Sequence, residues 1–196
     1  MIWRQQRAMR HPLIWLVAGG LAVFLLSAFS INTDVGSDPK LSLLVSQALV
    51  DHHTVTLDAY RSDVILDHPF SDYVAEGTIL ETNGHATYYF PAGPALLSAP
   101  AVALLRSAGW DMRSTDNYRL QELLSALTAT LAFFLSYALA RRFVPGRDAV
   151  LIALVSVLGS SLISTLGTAL WSHNYTVLFI GSALWLLADR RPHSPV

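Results

Sequence analysis

The sequence predicts an all-α membrane protein, with about four transmembrane helices and one large external loop that carries amphipathic and re-entrant helices. Three observations predict it. The 196 residues are 53% hydrophobic and only 14% charged, where a soluble domain carries about a quarter charged residues. The uncharged residues gather into runs of membrane length, and the arginines gather between those runs. A formal net charge of -1 excludes a basic nucleic-acid binder, and the absence of cysteine excludes a thiolate metal centre and a disulfide scaffold.

The elements follow in order. Residues 1–12 form a basic N-terminus with Arg4, Arg7 and Arg10, and 13–31 is an uncharged first span. A spanning helix needs roughly 20 apolar residues at about 1.5 Å each, so the run is long enough. A cleaved signal peptide, with Ala28-Phe29-Ser30 as its cleavage site, is the competing reading, but its apolar region would be shorter. The second span is 119–140, whose uncharged stretch runs from Leu123 to Ala140. Arg141, Arg142 and Arg147 occupy the loop 141–148. The next 40 residues, Ala149 to Ala188, contain no Asp, Glu, Lys or Arg. They are broken only at Trp171-Ser172-His173-Asn174, which predicts a hairpin: a third span over 149–170, a turn at 171–174 and a fourth span over 175–188. Residues 189–196 form a tail with Arg190 and Arg191.

Eight of the 13 basic residues lie in those three clusters, and alternation through four spans puts all three on one face. The positive-inside rule makes that face cytoplasmic. The expected location is the inner (plasma) membrane, multi-pass, with both termini inside and residues 32–118 outside.

The external segment is acidic. Nine carboxylates fall between Asp34 and Glu81, against Lys40 and Arg61 alone. Asp38 before Pro39 reads as a helix N-cap followed by the first helical residue. Leu41, Leu44, Val45, Ala48 and Leu49 then form one apolar stripe, predicting an amphipathic helix on the membrane surface. Asp58 to Glu81 reads as loop, Asn83-Gly84-His85 as a turn, and Ala86 to Phe90 as a short strand. The uncharged stretch Phe90–Leu105 is interrupted by prolines, which favours a re-entrant or half-buried helix over about 95–107.

The candidates for chemistry each have a plainer role beside them. Asp34 and Asp38 are placed to act as a base or as metal ligands at the bilayer edge; equally, Asp38 caps a helix and Asp34 is solvated. His52, His53, His68 and His85 lack zinc spacing and read as surface histidines. His173 is either part of a tight turn or a functional group facing the same side as Asp38. Tyr88, Tyr89 and Phe90 with Trp110 can stack on a sugar or anchor at the interface. No nucleophile elbow, phosphate loop or dinucleotide fingerprint is present.

Several motifs in order carry a resemblance: the external Asp and amphipathic helix, Leu57-Asp58-Ala59-Tyr60, Asn83-Gly84-His85, Tyr88-Tyr89-Phe90-Pro91-Ala92-Gly93, and Ala169-Leu170-Trp171-Ser172-His173. Together they resemble the N-terminal part of bacterial polytopic glycosyltransferases of the GT-C superfold, the group that includes dolichyl-phosphate-mannose-type (glycosyltransferase 39-like) and aminoarabinose-type transferases. The resemblance implies transfer of sugar, with inversion, from a polyprenyl-phosphate donor to an acceptor on the external face. It implies Asp38, with Asp34 second, as catalytic carboxylate and as ligand of a divalent cation, Mg or Mn. It places His85, Tyr88, Tyr89 and His173 at the substrate. Such enzymes have about ten or more spans, so the resemblance implies a piece of one: inactive alone, and completed by helices from a longer product or a second polypeptide. The rival expectation is a non-catalytic membrane binding or scaffold protein that keeps the external loop.

Overall fold

The computed structural model describes residues 2–30 and 38–188, with side chains from residue 13 onward. Helix makes up 66% of the described residues and strand 8%. Contacts divide the chain into two units. The first comprises 1–31, 122–168 and 173–196; the second comprises 32–121 and 169–172.

The first unit is helical. It contains α1 (Ile2–Ala28), most of α5 (Asp116–Ala140), α6 (Gly146–Leu158), α7 (Ser161–Leu166) and most of α8 (Ser172–Ala188). Its core is built around Val23, Ala129, Ala132, Phe133, Ala153, Val157 and Leu166. Small side chains dominate this interior and let the helix backbones approach closely. Gly19 and Gly20 of α1 show the closeness: a Cβ there would stand 2.9 Å from the Phe133 ring and 2.6 Å from the Phe134 ring. Large apolar side chains point outward instead, among them Leu13, Ile14, Val17, Leu131, Leu151, Val155, Phe179 and Leu184.

Among the described residues α5 is the one helix long and apolar enough to cross a membrane. Its 25 residues extend about 38 Å. The span predicted over 149–170 is not one helix. It breaks at Gly159 and restarts at α7, where Ser160 Oγ accepts the Leu162 N–H at 3.2 Å. Glycine is a poor interior helix residue and serine a good cap, so a local preference interrupts the apolar run. The predicted turn at 171–174 is also displaced, because Ser172, His173 and Asn174 form the first turn of α8.

The second unit carries α2 (Ser42–His52), a 3-10 turn (Asp58–Tyr60), β1 (Val64–Ile65), β2 (His68–Pro69), α3 (Phe70–Ala75), β3 (Ile79–Thr82), β4 (His85–Tyr88) and α4 (Gly93–Arg106). β3 and β4 pair antiparallel through the expected Asn83-Gly84 turn, with both residues at positive φ (54° and 82°), as a two-residue hairpin requires. The stretch read as loop contains a second hairpin, β1–β2, which turns on Leu66-Asp67. The half-buried helix expected near 95–107 is α4, which packs against α2.

Two expectations for α2 are corrected. Asp38 does not cap it, and Pro39 is not its first residue. Residues 38–41 form a turn, the cap position is Leu41, and no side chain caps the helix. The Pro39 carbonyl instead accepts from the Ser42 N–H, the Ser42 hydroxyl and the Gln121 amide. Nor does α2 present one apolar stripe to a surface: every residue from Ser42 to Ala48 is buried. Ser42, Ser46 and Gln47 are buried because each finds a partner. Ser46 Oγ donates to the Ala95 carbonyl at 2.8 Å, and Gln47 accepts the Met112 N–H at 2.7 Å, which removes the cost of burying them.

Candidate functional site

The turn 38–41 places one carboxylate in an unusual setting. Asp38 is 8% exposed. Its Oδ2 accepts the Ser172 backbone N–H at 2.6 Å, while Oδ1 is buried with no hydrogen-bond partner among the described residues. A buried carboxylate oxygen left open is costly, and such cost is commonly tolerated where a group binds or reacts.

The turn is held from two sides. Tyr88 of β4 donates its hydroxyl hydrogen to the Asp38 carbonyl at 2.7 Å and accepts the Leu41 N–H at 3.2 Å. Burial, the first cause, pushes the Tyr88 phenol well above its ordinary range, so it stays protonated and can donate. Gln121 of α5 donates to the Pro39 carbonyl at 3.0 Å and to Asn117 Oδ1 at 2.6 Å. Its own amide oxygen, like Asp38 Oδ1, is buried without a partner among the described residues.

Of the residues expected at a site, the structure brings Asp38 and Tyr88 together, 50 positions apart in the chain. Tyr88 works as a brace, because its hydroxyl bonds to Leu41 and Asp38 both go to backbone. His85 and Tyr88 lie on opposite faces of β4, whose burial alternates exposed and buried, as the two-residue strand period dictates. His85 faces outward and bonds Asp58 at 2.7 Å. Asp58 is held well below the usual carboxylate range, first by the Ala86 N–H and then by His85. Tyr89 is 64% exposed and stands edge-on to Phe90. His173 is exposed on the first turn of α8. Asp34 lies outside the described residues.

No group of three or more His, Asp or Glu side chains gathers among the described residues. A divalent cation takes oxygen ligands and Mg retains several waters. Asp38 Oδ1, buried without a hydrogen-bond partner among the described residues, could supply one such ligand.

Sequence reasoning missed Asn117, Gln121 and Ser172. For the first two a signal existed. Asn117, Gln121, Ser125 and Thr128 are all buried, and their spacing of i, i+4, i+8, i+11 marks one polar stripe along α5. In the first unit that stripe continues to Thr128, whose hydroxyl accepts from Asn174 Nδ2 at 3.1 Å. Ser172 contributes through its backbone, for which side-chain patterns give no signal.

Comparison with known proteins found no matching family model, no matching curated protein and no matching solved structure.

Proposed function

We propose that the chain is a membrane-embedded, GT-C-like glycosyltransferase element that takes part in moving sugar from a polyprenyl-phosphate donor to an acceptor on the external face. The observation that carries this reading is the Asp38 carboxylate: buried, held through one oxygen and, among the described residues, without a hydrogen-bond partner at the other. An immobilised carboxylate with one free oxygen can take the acceptor's proton as it attacks the anomeric carbon. In the alternative role that oxygen would ligate Mg or Mn, whose chemistry would be to neutralise the donor phosphate as it leaves, and the proton would then go to another group. The exposed Tyr89 ring is available to stack on a sugar.

The membrane placement is supported by the composition of the first unit. Its interior is rich in alanine, with Ser27, Ser125, Thr128 and Asn174 buried among apolar residues, and many of its outward side chains are large and apolar. Small interior residues and a large apolar exterior suit lipid contact. The proposed arrangement has both termini cytoplasmic and the acidic residues 32–118 external. Further spans, from a longer product or a partner polypeptide, would complete the cavity for the donor.

The test is sugar transfer by membranes that contain the completed assembly, with a panel of radiolabelled polyprenyl-phosphate sugars as donors. Asp38→Asn keeps an oxygen for the Ser172 N–H and removes the base, so the rate should fall by about 10² to 10⁴. Transfer within a few-fold of the parent would defeat the assignment. In the second reading the loop binds without catalysis, and no donor in the panel would be consumed by the parent.

A further inference from the structure

A groove on the first unit has a chemistry that the transferase reading does not use. It runs between α1 and α6, has a volume of about 280 Å³, and is lined by Trp15, Arg147, Val150, Leu151 and Leu154. The four α6 residues follow at i, i+3, i+4 and i+7, so they form one face of that helix. Val150 is its buried floor, while Trp15 and Leu151 are exposed walls. Arg147 stands at the first turn of α6, exposed, with no hydrogen bond or ion pair among the described residues.

The other two arginines of this cluster are differently engaged. Arg141 donates to the Val144 carbonyl at 2.9 Å, and Arg142 lies over the Trp185 ring at 5.2 Å. Asp148 follows Arg147 directly, but consecutive residues on a helix point about 100° apart, which turns its carboxylate off the groove's face. The result is an apolar slot with an unneutralised cation at one end, reinforced by the partial positive charge of the α6 N-terminus.

We propose that this groove binds one anionic phospholipid, with an acyl chain along Val150, Leu151 and Leu154 and the phosphate on Arg147. Charge complementarity selects the lipid: a zwitterionic headgroup brings its own ammonium towards Arg147, and a phosphatidylglycerol headgroup does not. Size excludes a protein helix, because a helix is about 10 Å wide and the slot falls below the ~300–1,000 Å³ of drug-sized pockets. Trp15 suits the boundary position, with an apolar ring body and a polar N–H. The inference rests on the membrane reading and is independent of the transferase chemistry.

Trp15 itself can report occupancy. The full chain is reconstituted in phosphatidylcholine vesicles doped with a minor fraction of either dibrominated phosphatidylglycerol or dibrominated phosphatidylcholine. The Trp15 signal is the difference between the parent and its Trp15→Phe form. Brominated phosphatidylglycerol should quench Trp15 with about fivefold higher relative affinity. That preference should vanish in Arg147→Gln, persist in Arg147→Lys and be unaffected by Arg141→Gln. Equal quenching by both lipids in the parent would overturn the site and leave the membrane reading intact. So would equal loss of preference in Arg141→Gln and Arg147→Gln, which indicates diffuse surface charge. Quenching of the other tryptophans but not Trp15 would mean that protein covers the groove. No quenching of any tryptophan would overturn both this site and the membrane reading.

Discussion

Asp38 Oδ2 accepts the backbone N–H of Ser172 at 2.6 Å, a contact that joins positions 134 residues apart. Ser172 is the first residue of α8, and the first N–H groups of a helix have no partner within it. The carboxylate therefore supplies from a distant turn what a local cap normally supplies. Asp38→Ala removes the acceptor and should lower stability by about 1–3 kcal/mol. Asp38→Asn retains an oxygen and should lose less. Thermal unfolding of the two purified variants in detergent checks the order; equal losses would mean that the hydrogen bond contributes nothing measurable.

Tyr88 connects that turn to β4. Tyr88→Phe removes one hydroxyl and leaves both the Leu41 N–H and the Asp38 carbonyl without their partner. The expected cost is about 1–3 kcal/mol, read as a lower denaturation midpoint. Tyr89→Phe, at an exposed position, should stay within about 0.5 kcal/mol of the parent. A Tyr89 effect equal to that of Tyr88 would contradict the bracing role.

The second unit should lose stability in acid through Asp111. Arg113 hydrogen bonds, the first cause, lower the Asp111 carboxyl from 3.8 to about 2. Arg113 also reaches Asp63 at 2.8 Å, so the ion pairs tie three residues together. A depressed folded pKa contributes stability above the unfolded value, and that stability is lost as pH falls through the folded one. The melting temperature should therefore decline between about pH 4 and pH 2, and Asp111→Asn should flatten that part of the profile while lowering the plateau at neutral pH. An unchanged acid limb in Asp111→Asn would assign the loss to other carboxylates, with Asp58 the next to test.

The proposed sidedness can be read chemically because the sequence has no native cysteine. Ser71 is exposed on α3, and Ser194 lies in the tail. A membrane-impermeant thiol reagent applied to intact cells should label Ser71→Cys and spare Ser194→Cys. The reverse pattern would invert the topology.

Much of the second unit's outline was legible in the sequence for local reasons. The Asn83-Gly84 turn was legible because few residue pairs tolerate positive φ twice, while β3 before it lies in the stretch that reads as loop. Pro94 marked the start of α4, because a proline in the first turn forfeits no helical donor, whereas Pro100 lies inside the helix and does not end it. The β1–β2 hairpin escaped notice because its turn residues, Leu66 and Asp67, are not the usual ones for that geometry.

By itself the sequence determined a mostly helical chain with long apolar runs, an acidic middle segment, the turn at Asn83-Gly84 and a short strand after it, since composition, periodicity and turn chemistry act over a few neighbouring residues. Only the tertiary structure decided what Asp38 does. Read locally, Asp38-Pro39 is a helix cap. In the fold Tyr88 and Gln121 hold that turn in another conformation, and the carboxylate meets a backbone N–H far along the chain. The physical reason is that a buried polar atom takes whatever partner the packing supplies, and partners on remote segments leave no pattern in the residues beside it.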